Sequence, residues 1–259
     1  MNNSIIYKTL TLAITNNIAH IQLNRPDYFN AMNIDFWHEF PKVITDINNE
    51  FAARVIVISS TGKHFCAGMD LAVFTQNNGD KNIELGRKHE QLRRSVLQLQ
   101  DCFNLLENIR MPVLMAIQGG CVGGAVDMIS AADCRYCTND AFFSIEETKL
   151  GMTADLGTLQ RLPKLISIGL VKELAYTGRR MPANEAKEAG LVNQVYDCQE
   201  SMLTGVMAIA SEIAERSPLA VAGCKEMINY ARDHSVADSL NYMAVWQSGM
   251  FQPQNDMME

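Results

Sequence analysis

The sequence predicts an α/β fold, and three observations carry that expectation. Apolar runs of strand length alternate with helical patterns over the first two thirds of the chain. The remainder, after Pro163, reads as helix with one strand at 192–196. No linker-like stretch and no internal repeat interrupts the 259 residues, a length that fills one large core. The economical division is an α/β core over 1–197 and a helical C-terminal region over 198–259.

The elements follow in order. Residues 9–14 alternate polar and apolar, residues 18–23 form a second apolar run, and Asn16-Asn17 between them is a hairpin turn. After the turn at Arg25-Pro26-Asp27, Asn33 caps a helix with Ile34, Trp37, Phe40, Ile44 and Ile47 at helical spacing, which Pro41 is expected to kink. Residues 54–59 read as a fully buried strand, followed by a loop over 61–70 and a polar stretch at 76–80 expected to be mobile. A long amphipathic helix spans 83–109 with Leu92, Val96, Leu99, Phe103 and Leu106 on one face. Pro112 ends it and opens a buried strand at 113–117. The run Gly119-Gly120-Cys121-Val122-Gly123-Gly124 leads into a short helix over 125–132, and short strands follow near 135–137 and 141–144.

Composition excludes several classes. With 47% hydrophobic and 20% charged residues the chain is neither collagen-like nor low-complexity. A net charge of -7 argues against nucleic acid or an anionic membrane as the main partner. No apolar run reaches the ~18 residues of a membrane helix. Neither a secretory signal in Met1-Asn2-Asn3-Ser4 nor a peroxisomal tripeptide in Met257-Met258-Glu259 is visible. Seven scattered cysteines in apolar contexts read as reduced, buried thiols, so the expected location is cytoplasmic.

The chemistry-bearing residues are few. The glycine run follows a buried strand and opens a helix, where backbone N–H groups and the helix dipole favour an anion. Its spacing matches no nucleotide-phosphate fingerprint, and close helix–strand packing accounts for such glycines equally well. Asp127 lies three residues beyond Gly124, in an otherwise apolar helix where an acid is costly to bury without a partner. Glu146, Glu147 and Asp155 add acids; singly each reads as a surface group, and together, beside an anion cradle, they point to acid–base chemistry next to an oxyanion. Cys134-x-x-Cys137 has neither a second pair nor a histidine at ligand spacing, so no metal is expected. His64 reads as a loop-packing residue in preference to a base, and the fifteen methionines as core filler.

Several segments together resemble one family. They are Leu23-Asn24-Arg25-Pro26 with Asn30-Ala31-Met32-Asn33, Phe65-Cys66-Ala67-Gly68-Met69-Asp70-Leu71, the glycine run to Gly124, and Ala131-Ala132-Asp133. In order and spacing these resemble the crotonase (enoyl-CoA hydratase/isomerase) superfamily over nearly the whole chain. The resemblance implies a superhelical core of ββα turns with a helical C-terminal trimerisation region, giving a homotrimer or a dimer of trimers. It implies an acyl-CoA thioester substrate and no cofactor, coenzyme A being part of the substrate. It places an oxyanion hole at the backbone N–H groups of Met69 and Gly124, and substrate contacts at Ala67, Gly68, Asp70, Leu71 and Gly123.

The acids refine the resemblance. Hydratases of the family carry glutamates at the positions of Asp127 and Glu147. Here the first is aspartate and Asp155 follows, a trio similar to that of the Δ3,5-Δ2,4-dienoyl-CoA isomerases. Residues 121–127, 141–143, 155–163 and 239–242 resemble them too, although Ala125 stands where glycine is common. The implied reaction of fatty-acid β-oxidation removes a proton from C2 through Glu147 and delivers one to C6 from Asp155. Asp155 is then expected to be held protonated by burial in an apolar pocket, and Asp127 to tune Glu147. The rivals are an enoyl-CoA hydratase using Asp127 and Glu147 to activate water, and a non-catalytic binding protein of the same fold.

Overall fold

In the computed structural model, residues 4–73 and 83–250 are described; the polar stretch expected to be mobile at 76–80 lies outside them. The hairpin forms as expected, β2 (Leu10–Thr15) pairing antiparallel with β3 (Ile18–Leu23). Asn16 and Asn17 take φ values of 51° and 61°, the left-handed turn conformation that asparagine tolerates best after glycine. A two-residue strand, β1 (Ile5–Ile6), adds to the edge. Beyond β3 the sheet turns parallel through β4 (Val55–Ser60), β5 (Val113–Ile117), β7 (Cys134–Thr138) and β10 (Gln194–Tyr196), in the order β1-β2-β3-β4-β5-β7-β10.

The central strands are buried on both faces, which is why they read as continuous apolar runs. Strand alternation divides them. Ile56 and Ile58 of β4 with Val113, Met115 and Ile117 of β5 enter the larger core. Val55, Val57, Leu114 and Ala116 face the other way. There α7 (Gln199–Ala214) covers them with Met202, Val206, Ala210 and Ala214, one face of a helix at i, i+4, i+8, i+12 spacing.

The larger core is closed by α1 (Ile34–Asn49) and the C-terminal half of α2 (Leu85–Asn108). Asn33 caps α1 by accepting from the Phe36 N–H at 3.0 Å. Pro41 sits inside α1 and leaves the Trp37 carbonyl without its helical donor, and the Cys102 thiol of α2 donates to that carbonyl at 3.8 Å. Phe103 and Leu106 of α2 are buried as the helical face predicts, but Leu92 is 64% exposed, because only the C-terminal half of this helix lies on the core.

A second sheet of three short strands has the order β6-β8-β9, formed by β6 (Gly120–Val122), β8 (Phe142–Ser144) and β9 (Met181–Pro182). Successive strands β5 and β6, then β7 and β8, thus contribute one strand to each sheet, the ββ half of the expected ββα turns. Isolated parallel bridges, Cys66 to Cys121 and Met32 to Met69, extend the small sheet toward the chain's first third. β6 falls where the sequence reads as loop. Its three residues carry no periodicity, and only their pairing with β8, more than twenty residues on, makes them a strand.

The helix expected over 125–132 runs Gly124–Ser130 and is α3. After it come α4 (Thr158–Leu165), which includes Pro163, then α5 (Ile168–Thr177), α6 (Ala183–Glu188), α8 (Pro218–Asp233) and α9 (Val236–Met250). α8 is anchored by the buried Lys225. Its ammonium donates to the carbonyls of Leu106 and Met111 at 2.7 and 3.0 Å and to Asp133 Oδ2 at 2.9 Å. Among the described residues α9 buries none of its own, and Leu240, Val245 and Val236 are exposed on it. No helix of the described residues is long and apolar enough to cross a membrane. All seven cysteines are free thiols; Cys198 and Cys224 are exposed, contrary to the uniformly buried set expected.

Candidate active site

The loop after β4 is fixed by the segment that precedes α1. Asn30, at φ 56°, accepts from the Arg25 N–H at 2.8 Å and donates to the carbonyls of Thr61 and His64 at 2.8 and 3.0 Å. The Arg25 guanidinium lies over the Tyr28 ring, donates to the Ala31 carbonyl and pairs with Asp70 at 3.4 Å. Asp70 in turn accepts from the Ala72 N–H at 3.1 Å, so this carboxylate shapes the loop itself. His64 Nδ1 accepts from the Gly120 N–H at 2.9 Å, and the ring sits edge-on to Phe29 and Phe142. That is the packing role anticipated for it.

These restraints bring residues 67–69 against the start of α3. The Met32 N–H donates to the Gly68 carbonyl at 2.8 Å and the Asp70 N–H to the Met32 carbonyl at 3.1 Å, so the Met69 N–H between them faces away from Met32. Gly68 has φ 85°, and a Cβ there would stand 2.6 Å from the Val122 carbonyl and 3.3 Å from the Gly124 nitrogen. A Cβ on Gly124 would come 3.8 Å from the Met69 nitrogen. The N–H groups of Met69 and Gly124 therefore flank one small space, and neither donates a hydrogen bond among the described residues. Gly124 opens a helix, whose dipole adds positive potential there. Ala67 and Leu71 are exposed beside this space, whereas Gly123 is buried at its rim.

Two acids adjoin the cradle, and a third acts on both through its charge. Asp127, on the first turn of α3, is 1% exposed, and its Oδ1 accepts from the Thr158 N–H at 2.6 Å. Burial pushes its carboxyl up to about 7, against the hydrogen bonds from Thr158 and with a further push from the Glu147 and Asp155 charges. Glu147 heads a 3-10 turn (Glu147–Leu150), and a Cβ on Gly123 would lie 3.3 Å from its Oε1. Its Oε2 is buried without a hydrogen-bond partner among the described residues, and burial, then the Asp155 and Glu146 charges, raise this carboxyl. A carboxylate oxygen left dry and unpartnered is a strong proton acceptor.

Asp155 corrects an expectation. Its side chain is exposed in the single chain, not enclosed in an apolar pocket. The neighbours Ala154 and Leu156 turn into the core at 4% and 3% exposure, and chain alternation sends the residue between them outward. Partial screening from water still raises its carboxyl, and its charge acts on both Asp127 and Glu147. The Asp155 carbonyl accepts from Gln100 Nε2 of α2 at 2.6 Å. Sequence reasoning gave no role to Gln100, nor to Thr158 as the donor to Asp127, because neither contact follows from local spacing.

Cys134 and Cys137 cannot act together. They lie three apart on β7 and so point to opposite faces, Cys137 into the larger core and Cys134 toward α7.

Comparison with known proteins bears on this arrangement. A profile of the enoyl-CoA hydratase/isomerase family matches residues 13–255. The chain belongs to this family. Within it, a peroxisomal Δ(3,5)-Δ(2,4)-dienoyl-CoA isomerase of Arabidopsis thaliana is 43% identical over 251 residues, covering 94% of this chain and 90% of that protein. The mitochondrial protein of the same name from Homo sapiens is 45% identical over 243 residues, covering 92% of this chain and 73% of that one. Among solved structures, an enoyl-CoA hydratase from Bacillus anthracis superposes with a TM-score of 0.82 at 32% identity, over 97% of this chain and 91% of that one. Membership of the enoyl-CoA hydratase/isomerase family agrees with the two-sheet core, the helical C-terminal third and the paired N–H groups at the head of α3.

Proposed function

We propose that the protein isomerises 3,5-dienoyl-CoA thioesters to 2,4-dienoyl-CoA. The observation that carries this reading is that Asp127 and Glu147 lie by two backbone donors unengaged among the described residues, with Asp155 acting on both and one Glu147 oxygen buried and without a partner among those residues. Relatives at 43% and 45% identity bear that activity in their names.

In this reading the thioester oxygen sits between the N–H groups of Met69 and Gly124, which stabilise it as negative charge develops. Glu147 takes a proton from C2. The electron pair left behind forms an enolate conjugated through C3=C4 and C5=C6. Asp155, protonated, delivers a proton to C6, the double bonds settle at C2=C3 and C4=C5, and the thioester carbonyl reforms. One proton leaves and one arrives, so the step needs neither metal nor redox cofactor. Asp127, neutral over much of the range below about 7, adds no second full charge beside Glu147 while Glu147 works as a base. Ala67, Gly68, Asp70, Leu71 and Gly123 form the surface along which the acyl-CoA lies, Asp70 by shaping the loop.

The exposed apolar residues of α9 support assembly as a homotrimer or dimer of trimers. The free thiols support a reducing compartment, and we assign the cytoplasm, although the two relatives are named for peroxisome and mitochondrion.

The test is direct. Purified protein mixed with a 3,5-dienoyl-CoA should raise the absorbance of the conjugated 2,4-dienoyl thioester without any added cofactor. Hydration of a simple 2-enoyl-CoA with no change in the diene would overturn the reading in favour of a hydratase.

A further inference from the structure

The turn that carries Asp155 is held from behind by polar contacts. Arg161, on α4, donates from Nη1 to the Leu156 carbonyl at 3.3 Å, and its own N–H donates to the Gly157 carbonyl at 2.9 Å. The guanidinium is braced on α2. Nε and Nη2 donate to Glu107 Oε2 at 2.9 and 2.7 Å, and Nη2 also donates to Asn104 Oδ1 at 2.6 Å. The other Glu107 oxygen accepts from Arg232 of α8. This ion pair is well sheltered, the side chains of Arg161 and Glu107 being 11% and 17% exposed. Burial tends to raise the Glu107 carboxyl, and the two arginines hold it below the ordinary value, so it stays charged.

Two further features show that the turn is built around this guanidinium. Gly157 has φ 129°, and a Cβ there would lie 1.7 Å from Arg161 Nη1. No side chain fits at 157 while the arginine stays where it is. Behind the turn a cleft of about 460 Å³ is lined by Gln100, Leu156, Gly157, Arg161 and Arg232 among others. On the cleft side the turn is held by the polar contacts of Arg161, while Ala154 and Leu156 anchor it to the core. The same turn ends in the Thr158 N–H that binds Asp127.

We infer that Arg161, braced by Glu107, is a positioning residue that fixes Asp155 at the distal proton-transfer point relative to Asp127 and Glu147. The inference rests on the proposed isomerase reading and adds to it the residue that sets the separation of the two proton-transfer sites. Arg161 touches no reacting atom. Its loss leaves Glu147 and the oxyanion cradle in place, because the Glu147 turn follows β8 and is tied by the Thr148 hydroxyl to the Ala175 carbonyl at 2.9 Å, while the cradle belongs to α3 and the loop at 67–69.

The test compares two rates in the same protein. Exchange of the C2 hydrogen in heavy water reads Glu147 and the cradle, and diene isomerisation also needs Asp155. In Arg161→Met, kcat for isomerisation should fall about 10- to 100-fold, the scale of a misplaced reacting group. C2 exchange and KM should stay within about threefold. Arg161→Lys keeps the charge on Glu107 but cannot span Glu107, Asn104 and Leu156 at once. It should recover thermal stability while the ratio of isomerisation to exchange stays low, which keeps the inference testable should Arg161→Met fail to fold. Exchange and isomerisation falling together in Arg161→Lys, or neither falling, would overturn it. Wild-type protein that exchanges C2 but never isomerises the diene would overturn the functional reading first, and this inference with it.

Discussion

The backbone N–H of Thr158 donates to Asp127 Oδ1 at 2.6 Å, tying the first turn of one helix to the first residue of another, thirty-one positions along the chain. Through this bond the buried acid of α3 and the turn bearing Asp155 form one unit. Thr158 favours the charged form of this carboxylate, but it does not replace the hydration that burial removes.

The pH dependence of stability follows from that imbalance. Folding raises the Asp127 carboxyl from 3.8 to about 7. A group raised on folding contributes stability that is complete below its unfolded value and is lost as pH climbs through the folded one. Asp127→Asn keeps an acceptor for Thr158 and removes the titration. Thermal unfolding from about pH 4 to about pH 8 should therefore show the wild type losing ground to Asp127→Asn as pH rises. Parallel curves for the two proteins would show that Asp127 is not raised.

Gly68 gives a second prediction. At φ 85°, with the Val122 carbonyl 2.6 Å from where a Cβ would go, alanine must move backbone on one side or the other. Both sides belong to the cradle. Gly68→Ala should lower kcat by about 10²- to 10³-fold, the value of a misaligned oxyanion donor. It should also destabilise the fold by at least ~1 kcal/mol. Kinetics and thermal unfolding of the same preparation check both.

Assembly gives a third. Light scattering should report a mass of three or six chains at micromolar concentration. Leu240→Glu, which places a charge on a residue 65% exposed in the single chain, should shift that mass toward one chain while far-ultraviolet circular dichroism is unchanged. A wild-type mass of one chain would contradict the assembly.

What the sequence shows and hides follows the range of the forces involved. The strands at 18–23 and 113–117 begin and end where the apolar runs do, because burial, on both faces for 113–117 and mainly on one for 18–23 with its His20 and Gln22, is written into each residue. Asn33 and the helix it caps are equally local. β6 is not visible, since three residues become a strand only by meeting β8. The exposure of Leu92 is likewise set by where α2 leaves the core, which its own periodicity does not encode. At the site, the acids and the glycine run are legible as residue types. That Asp155 faces outward, and that Thr158, Gln100 and Arg161 hold its turn, depends on contacts between distant segments.

The last prediction separates the two proton transfers. Glu147 has one oxygen buried without a partner among the described residues, while Asp155 lies at the surface of the single chain with its carboxyl raised. If the first takes the C2 proton and the second supplies C6, each half can be removed alone. Asp155→Asn keeps the shape and loses the transferable proton. It should still exchange the C2 hydrogen in heavy water while isomerisation falls by about 10²- to 10⁴-fold, the span of general acid catalysis. Glu147→Gln should lose exchange and isomerisation together, since no base remains beside the enolate. Affinity for an acyl-CoA product should hardly change in either variant, because Met69 and Gly124 act through their backbone. Near-normal isomerisation by Asp155→Asn would return Asp155 to an ordinary surface acid. The C6 proton would then have to come from solvent or from Glu147 itself.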